Sequence, residues 1–315
     1  MGAPATRITA ADFLTPPEFR ARKLAANPAG RIGGVRIQLS ADGSLTRLTE
    51  VYQQVPLRLL PPFQVDVAEP ALLYLLNPTA GLMDGDAQLV SVSAGAGSRA
   101  VITGQSATRI HPCLNGFATQ QWNIAVEPGA VLVLLPGPAI PFQGSRHYQR
   151  ASIELAEGAA AVWADIWFAG RYARQLDSEQ FQFATLIQDL TVHRKGRLIF
   201  RDRFCWDGPW DTETAAWHFD GGLACGSVFV SALLAQEPQG LQPVCRSAQF
   251  TTASGDTCLR FCGDSEAVTT NVVRAALHAA AILAEANRGV PWLLDTSGLG
   301  PNHWFFVTKS GDQAS

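Results

Sequence analysis

The sequence has few charged side chains. Only 16% of its 315 residues are charged, whereas 47% are hydrophobic. This balance excludes a disordered chain, which needs high charge and low hydrophobicity. A net charge of -3 without any Lys/Arg cluster argues against a nucleic-acid partner. So bland a surface is typical of proteins that are covered by protein partners.

The sequence also shows no sign of a targeting segment. We find no stretch long and apolar enough to cross a membrane, and therefore expect no membrane partner. The chain reaches Asp12 and Glu18 before any apolar run, which is unlike a secretory signal peptide. We therefore predict a cytoplasmic protein whose six cysteines are reduced thiols, mostly buried as small hydrophobic residues.

Catalytic signatures are absent as well. The sequence has no Gly-x-Ser-x-Gly elbow, no phosphate-binding loop and no His-Glu-x-x-His helix, which favours a protein that is not an enzyme. Scattered Cys and His residues leave an unrelated hydrolase as an alternative. The weak candidates for a borderline metal such as nickel or zinc are His111, Cys113, Cys258 and Cys262. For the thiols, ordinary burial in a core is the competing interpretation.

The strand signals are short and frequent. Glycine (28) and proline (19) recur throughout, as in many short strands joined by turns. Residues 122–126 alternate apolar and polar side chains, and residues 131–135 are apolar on both faces and end at Pro136. Residues 190–192 and 198–204 flank a basic, glycine-containing turn and predict a hairpin. The fold class is therefore mainly β.

A weak internal repeat suggests how the strands are arranged. Val92, Val126 and Leu155 are each followed three positions later by Gly and four positions later by Ala. These glycines are Gly95, Gly129 and Gly158. Periods of this size indicate stacked β units, although Gly-Ala turns also recur by chance in such a chain.

One helix is predicted near the C-terminus. Residues 269–287 are rich in alanine, and a polar stripe follows helical spacing along Asn271, Arg274, His278 and Glu285. Asp264 suits the start of this helix. We predict one domain over residues 1–315, in which a helix at 264–290 packs on a β-rich body at 30–262. The alanine face packs either on the protein's own sheet or on a partner helix.

A glycine-and-acid cluster occupies residues 81–86. Its glycines, Gly81 and Gly85, permit a tight turn, and Asp84 and Asp86 lie just before a predicted strand. The residues alone favour carboxylates that cap backbone N–H groups. A hard-ligand site or a partner contact is the alternative, but two carboxylates are too few to hold calcium unaided.

An ordered series of motifs resembles the UreD (UreH) urease accessory protein family. The resemblance covers residues 30–205 most clearly. Its segments are residues 52–58, 74–78, 81–86, 102–110, 135–136 and 140–142, followed by Gly170-Arg171. The matching turn and motif residues, expected to support partner contacts, are Gly81, Asp84, Gly85, Asp86, Thr103, Gln105, Thr108, Arg109 and Arg171.

The resemblance implies a β-helix-like stack of many short strands with a C-terminal α-helical segment. It also implies a chaperone that docks on the urease apoprotein with UreF-like and UreG-like partners and assists nickel insertion. Nickel would pass as cargo along an internal polar route, with no tightly bound cofactor. We expect the helix face, or residues 292–304, to contact the UreF-like partner.

The sequence departs from the family pattern at several motif positions. The family's acidic residue falls at Val133, and its aromatic neighbour falls at Leu134. Gly104 replaces a threonine, Met83 and Asp84 are inserted in the glycine-rich turn, and the later Gly-Glu is replaced around residues 175–179. The alternative is therefore a UreD-like scaffold with altered metal handling that serves a different client or metalloenzyme.

Overall fold

Two sheets packed face to face form the body of the computed structural model, which describes residues 7–24, 30–62, 70–171, 179–235, 238 and 241–288. Sheet A has the strand order β14-β13-β11-β8-β5-β1-β2. Sheet B has the order β16-β17-β15-β12-β9-β6-β4-β3, with β7 and β10 joined to it beside β12. The two inner faces together enclose most of the apolar side chains.

The strands of sheet A are β1 (Ile32–Asp42), β2 (Leu45–Gln54), β5 (Ala87–Ala94), β8 (Ala118–Val126), β11 (Arg146–Leu155), β13 (Thr185–Arg194) and β14 (Arg197–Asp207). Those of sheet B are β3 (Arg58–Leu59), β4 (Ala71–Leu76), β6 (Arg99–Gly104), β7 (Thr108–Ile110), β9 (Val131–Leu135), β10 (Pro138–Pro141), β12 (Ala160–Phe168), β15 (Ala224–Val230), β16 (Cys245–Thr251) and β17 (Thr257–Gly263). The helices are α1 (Pro17–Ala21), α2 (Thr212–Phe219) and α3 (Ser265–Arg288).

The central strands alternate between the sheets along the chain. Strands β5, β8, β11 and β13 are parallel neighbours in sheet A, and β4, β6, β9 and β12 are parallel neighbours in sheet B. Antiparallel pairs flank them on both sides. The mainly β class is confirmed. The sheets are mixed, however, and the described residues do not show a β-helix.

The internal repeat corresponds to the turns that carry the chain from sheet A to sheet B. Pairing aligns Ala94 with Val126 and Val126 with Leu155, so the equivalent glycines are Gly97, Gly129 and Gly158. All three have positive φ angles, between 68° and 71°. The prediction placed Gly95 in the first unit. It is wrong by two residues, because the strand register aligns Gly97, and not Gly95, with Gly129 and Gly158.

Adjacent turns are stacked by hydrogen bonds. Gly97 N donates to Pro128 O at 3.0 Å, and Gly129 N donates to Gly158 O at 3.1 Å. The predicted strands at 122–126 and 131–135 are confirmed as parts of β8 and β9, and the predicted hairpin is β13–β14 with its turn at Lys195-Gly196.

Helix α3 covers the outer face of sheet B. Its N-terminus is capped by Asp264, whose Oδ1 accepts from Glu266 N at 2.9 Å. Gly226 on β15 allows the close approach, since a Cβ there would lie 2.6 Å from Val272 Cγ2. The helix is confirmed at the predicted place, while the division of the chain into a single domain stays a prediction.

The alanine face of α3 is not free for a partner. Ala276 and Ala280 are fully buried in the cluster between α3 and sheet B, so the expectation that this face docks a partner is wrong. Asn271, predicted on the polar stripe, is also buried and hydrogen bonds Gln242 through both its amide atoms. The other proposed docking segment, residues 292–304, lies outside the described residues.

The same helix corrects the expectation about membrane-spanning segments. Residues Ser265–Ala286 are long and apolar enough to cross a membrane by length and composition. Most of this stretch is buried against sheet B, as expected of an apolar helix in the core of a folded protein.

Residues 7–24, which we call the N-terminal strap, cross the outer face of sheet A. Leu14 exchanges two hydrogen bonds with the Gln121 side chain, from Leu14 N at 3.0 Å and to Leu14 O at 2.7 Å. Phe19 in α1 is fully buried with Tyr148 and Ile187. Strap, sheet A, sheet B and α3 therefore form successive layers.

Candidate functional site

The acid cluster at residues 81–86 is a built turn. Asp86 is 2% exposed, and its carboxylate accepts from Arg31 Nη2 at 2.7 Å and from Met83 N at 2.9 Å. Asp84 accepts from the backbone N–H groups of residues 114–116 at 3.0–3.1 Å. Both carboxylates thus cap backbone groups, as the residues alone indicated.

Gly81 fixes the position of this turn. Its φ is +135°, and a Cβ at this residue would lie 2.3 Å from Arg109 O. Leu82 N donates to the same carbonyl at 2.8 Å. The glycine-rich turn and the later Thr108-Arg109 segment, which are far apart in sequence, are therefore in direct contact.

A cleft opens between the two sheets beside this contact. It holds about 70 Å³ of water-accessible volume. Four of its lining residues are predicted motif residues: Gly81, Gln105, Thr108 and Arg109. Thr103 lies one residue before the lining Gly104 and is buried. The structure thus brings four of the nine predicted motif residues to one cleft.

The floor of the cleft is polar. Gln88 on β5 and Gln120 on β8 line it, and they occupy paired positions in sheet A. The pairing continues from Gln120 to Gln149 on β11, and from Gln149 to Gln188 on β13. All four glutamines are buried, so a ladder of amides crosses the inner face of sheet A from the cleft toward the β14 edge.

Sheet B faces this ladder with polar residues over its second half. Asp165 on β12 is paired with Ser227 on β15, which is paired with Arg260 on β17. Opposite the floor of the cleft, sheet B contributes Pro136 and Gly104, which has no side chain to fill the space. We call the four glutamines, Asp165, Ser227, Arg260 and its partner Asp202 the polar layer.

Direct hydrogen bonds link the polar layer. Gln120 Nε2 donates to Gln88 Oε1 at 3.1 Å, and Gln149 Nε2 donates to Asp165 Oδ1. Three tryptophans support it through their Nε1 donors: Trp122 to Gln120 at 3.3 Å, Trp163 to Asp165, and Trp167 to Gln188 at 2.7 Å. Gln88 Nε2, at the cleft, has no hydrogen-bond partner within the described chain.

Asp165 is the fully buried carboxylate of the polar layer. Burial raises its pKa to about 7, against the hydrogen bonds from Trp163 and Gln149, which lower it. On either side of it along β12, Trp163 and Trp167 belong to two separate apolar clusters. The polar layer therefore divides the apolar space between the sheets in two.

At the far edge the layer is crossed by an ion pair. Arg260 Nη2 lies 2.8 Å from Asp202 Oδ1 on β14, so the pair joins sheet B to sheet A. Next to this ion pair, Cys225 on β15 and Cys262 on β17 occupy paired positions in the sheet as free thiols, and burial raises the pKa of both. The polar layer thus runs from the cleft at one side of the sandwich to a charged pair at the other.

The metal candidates do not come together in the described part of the chain. His111 Nε2 lies 3.0 Å from Ala80 O, while the Cys113 thiol donates to backbone carbonyls and has its pKa raised to about 11 by burial. Cys258 and Cys262 share one face of β17 but are about 13 Å apart at the rise of a strand. No group of three or more His, Cys, Asp or Glu there is suited to a metal, and metal binding at these four residues stays a prediction.

The sequence matches a model of the UreD urease accessory protein family over residues 31–292. The chain belongs to this family. The match extends well beyond residue 205, where the motif resemblance ends.

Similar proteins agree with this membership. A urease accessory protein UreD 2 from Streptomyces griseus is 32% identical over 173 residues, or 54% of this chain and 58% of that protein. A UreD 2 from Synechococcus sp. is 37% identical over 160 residues, or 51% and 56%. A UreH from Helicobacter acinonychis is 31% identical over 189 residues, or 59% and 69%. The aligned part of this chain spans less than two thirds of the first two relatives.

The family membership makes the position of Val133 informative. Val133 is fully buried in the cluster under α3, whereas its neighbour Leu134 faces the space between the sheets. The missing family carboxylate therefore does not belong to the polar layer. Whether the loss of this carboxylate alters metal handling stays a prediction.

The remaining motif residue, Arg171, anchors the segment after β12. Its guanidinium pairs with the Glu179 carboxylate and lies 4.2 Å from the centre of the Phe142 ring. Glu179 thus stands close to Arg171 although the family's Gly-Glu spacing is lost. Asp177 and the other residues of 172–178 lie outside the described part of the chain.

Sequence analysis missed the polar layer, although a signal was present. Gln88, Gln120 and Gln149 each stand nine positions before one of the positive-φ glycines, Gly97, Gly129 and Gly158. Because the first turn was placed at Gly95, the three glutamines were out of frame with one another. With the correct glycine, the repeat alone predicts three aligned amides.

Proposed function

We propose that this protein is a non-enzymatic urease maturation chaperone. It docks on the urease apoprotein together with UreF-type and UreG-type partners and assists insertion of nickel. The observation that carries the proposal is the family match over residues 31–292. The relatives are named as accessory proteins rather than as enzymes, which supports a non-catalytic role. A cytoplasmic location goes with it.

The polar layer supports nickel as a passing cargo. It offers a series of neutral amide oxygens and one interior carboxylate that lacks a strong ion pair. A cluster of thiolates and imidazoles would hold a transition metal tightly, whereas a few weak oxygen ligands let it exchange. The cleft at Gln88 and Gln120 then serves as one opening of this route.

The first test is co-expression with the urease subunits and with UreF-type and UreG-type partners. We expect urease to contain nickel and to be active only when this chain is present, as measured by metal analysis of the purified urease. Urease that gains the same nickel content without the chain contradicts the proposal.

Complex formation is measured in the same preparations by co-purification. A stable complex that delivers no nickel would support the docking part of the proposal and contradict the role in nickel insertion. No complex with any of these proteins would contradict both parts and indicate another client.

A further inference from the structure

Gln88 carries an unpartnered donor at the cleft between the sheets. The residue lines this cleft and is 1% exposed, yet its Nε2 atom has no hydrogen-bond partner within the described chain. A buried N–H group without an acceptor destabilises the folded state, so such groups are rare in folded proteins. The donor therefore indicates that this cleft receives an acceptor from outside the chain.

Trp122 determines which atom of the Gln88 amide stays available. Its indole Nε1 can only donate, and it donates to Gln120 Oε1 at 3.3 Å. Gln120 is thereby oriented with Nε2 toward Gln88, where it donates to Gln88 Oε1 at 3.1 Å. Turning the Gln88 amide over would place two NH2 groups against each other. The chain of donors thus ends at the cleft in an N–H group rather than in a carbonyl oxygen.

The charged side chain that lines the cleft is a cation. Arg109 is exposed, and its guanidinium forms no ion pair or hydrogen bond with the described residues. Among the described residues that line the cleft there is no Asp, Glu or His. A guanidinium binds carboxylate oxygens through two parallel N–H groups, so this cleft favours an anion with oxygen acceptors.

The size of the cleft limits what can bind. Its water-accessible volume of about 70 Å³ is several times the roughly 10–15 Å³ that one buried water needs by the same measure. Such a space suits a molecule of a few non-hydrogen atoms and is too small for a nucleotide or a peptide segment. The donors, the charge and the volume of the cleft together describe a site for a small carboxylate.

We infer that this cleft binds a small carboxylate anion of about the size of acetate. Gln88 Nε2 supplies the buried hydrogen bond, and Arg109 supplies the positive charge. The inference goes beyond the proposed function and does not rest on it. A bound carboxylate would offset the charge of Arg109, so the cleft would no longer repel a cation that passes through it.

The test is titration of the purified full-length chain with sodium acetate, followed in ¹H–¹⁵N spectra, with sodium chloride at equal ionic strength as the reference. The side-chain amide signals of Gln88 are assigned by their absence from the spectrum of Gln88→Met. We expect these signals to shift in acetate alone and to saturate with a dissociation constant on the order of 1 mM. Signals that do not shift, or that shift equally in chloride, overturn the inference.

A substitution at Arg109 tests the charge without disturbing the turn. The Arg109 carbonyl accepts from Leu82 N at 2.8 Å, and this contact does not involve the guanidinium. Arg109→Gln is expected to weaken acetate binding about tenfold. The matched control is Arg197→Gln, since Arg197 is also exposed and its guanidinium also lacks an ion pair in the described part of the chain, but it lies at the β13–β14 turn. An equal loss in both variants would mean that only net charge matters, which overturns the site.

Acetamide separates recognition of an anion from recognition of any carbonyl oxygen. It has the shape of acetate but no charge, so it should bind the wild type at least about tenfold more weakly. Equal binding of the two molecules contradicts a carboxylate site.

Failure of this inference is separable from failure of the proposed function, because the acetate titration contains no urease protein. A chain that loads urease with nickel but shows no acetate-dependent shift refutes only the carboxylate site. A chain that binds acetate as expected but has no effect on urease refutes only the urease role.

Discussion

Asp165 shows how far a single residue departs from its behaviour in water. Its carboxylate is buried between two tryptophan-containing clusters and accepts hydrogen bonds from Trp163 and Gln149. These bonds favour the charged form, yet burial dominates and raises the pKa to about 7. The group is therefore poised to change charge near neutral pH.

This shift predicts a pH-dependent stability difference. The unfolded carboxyl has a pKa near 3.9, so between about pH 4 and pH 7 the folded state holds a proton that the unfolded state has lost. The contribution of Asp165 to stability therefore falls as pH rises. Relative to the wild type, Asp165→Asn should gain roughly 2–3 kcal/mol between pH 5 and pH 8 in urea unfolding. A difference that is constant with pH would contradict the pKa shift.

Two adjacent glutamines give a matched test of the polar layer. Gln120 hydrogen bonds Gln88 and Trp122 between the sheets, whereas Gln121 faces outward and holds Leu14. Gln120→Leu should destabilise the chain by about 1–3 kcal/mol through the unpaired Trp122 donor. Under the proposed function it should also lower nickel delivery to urease severalfold. Gln121 is also buried, so Gln121→Leu should have a similar effect on stability but not on delivery.

At the scale of single elements, the stacked turns and the Gly81 turn place different demands on glycine. Gly158 has a φ of +70° with open space around its Cβ position, whereas a Cβ at Gly81 would meet Arg109 O. Gly158→Ala should cost about 1–2 kcal/mol of backbone strain. Gly81→Ala should cost more than twice as much, since the chain must also move. Equal costs in chemical denaturation would contradict the contact described for Gly81.

Helix α3 makes a complementary prediction. Ala280 is fully buried against sheet B, while Arg274 on the same helix is exposed. Ala280→Glu places an unpaired charge in that interface and should destabilise the protein by more than about 3 kcal/mol. Exposed Arg274→Glu should change stability by less than about 1 kcal/mol. Thermal unfolding of the two variants measures the contrast, and near-equal melting temperatures would place α3 elsewhere.

Local patterns predicted several elements because their signals are contiguous. The apolar run at 131–135, the basic turn before Arg197 and the alanine-rich helix all depend on neighbours in sequence. The polar layer depends on the register between strands about 30 residues apart in sequence. Placing one turn at Gly95 instead of Gly97 is enough to hide that register. Whether α3 covers a sheet or a partner is likewise decided by packing rather than by the helix itself.

On the scale of the whole molecule, charged pairs join elements that are remote in sequence. Arg194 at the end of β13 contacts Asp256 in the β16–β17 turn at 2.7 Å and Ser231 O at 3.0 Å. Asp256 is 1% exposed, so its carboxylate is shielded from water and lies against this guanidinium. The pair closes the end of the sandwich opposite to the cleft residues.

Removing that pair should therefore loosen the whole sandwich. Arg194→Met leaves a buried carboxylate without its partner and should cost about 3–5 kcal/mol in chemical denaturation. Arg47→Met, which breaks an exposed pair with Asp42, should cost less than about 1 kcal/mol. Similar small effects in both variants would show that the buried pair does not hold the sheets together.

The stacked turns have a consequence for how such a molecule can change in length. Each passage from one positive-φ glycine to the next adds a long and a short strand to sheet B, one strand to sheet A, one turn and one glutamine of the ladder. It pairs only with the passages beside it. Tandem duplication of a whole passage would preserve every register and lengthen the ladder by one amide. A one-residue slip in the register of the new strand would turn that strand over and send its glutamine to the outer face. The fold therefore grows in whole units, and the length of its interior path grows with them.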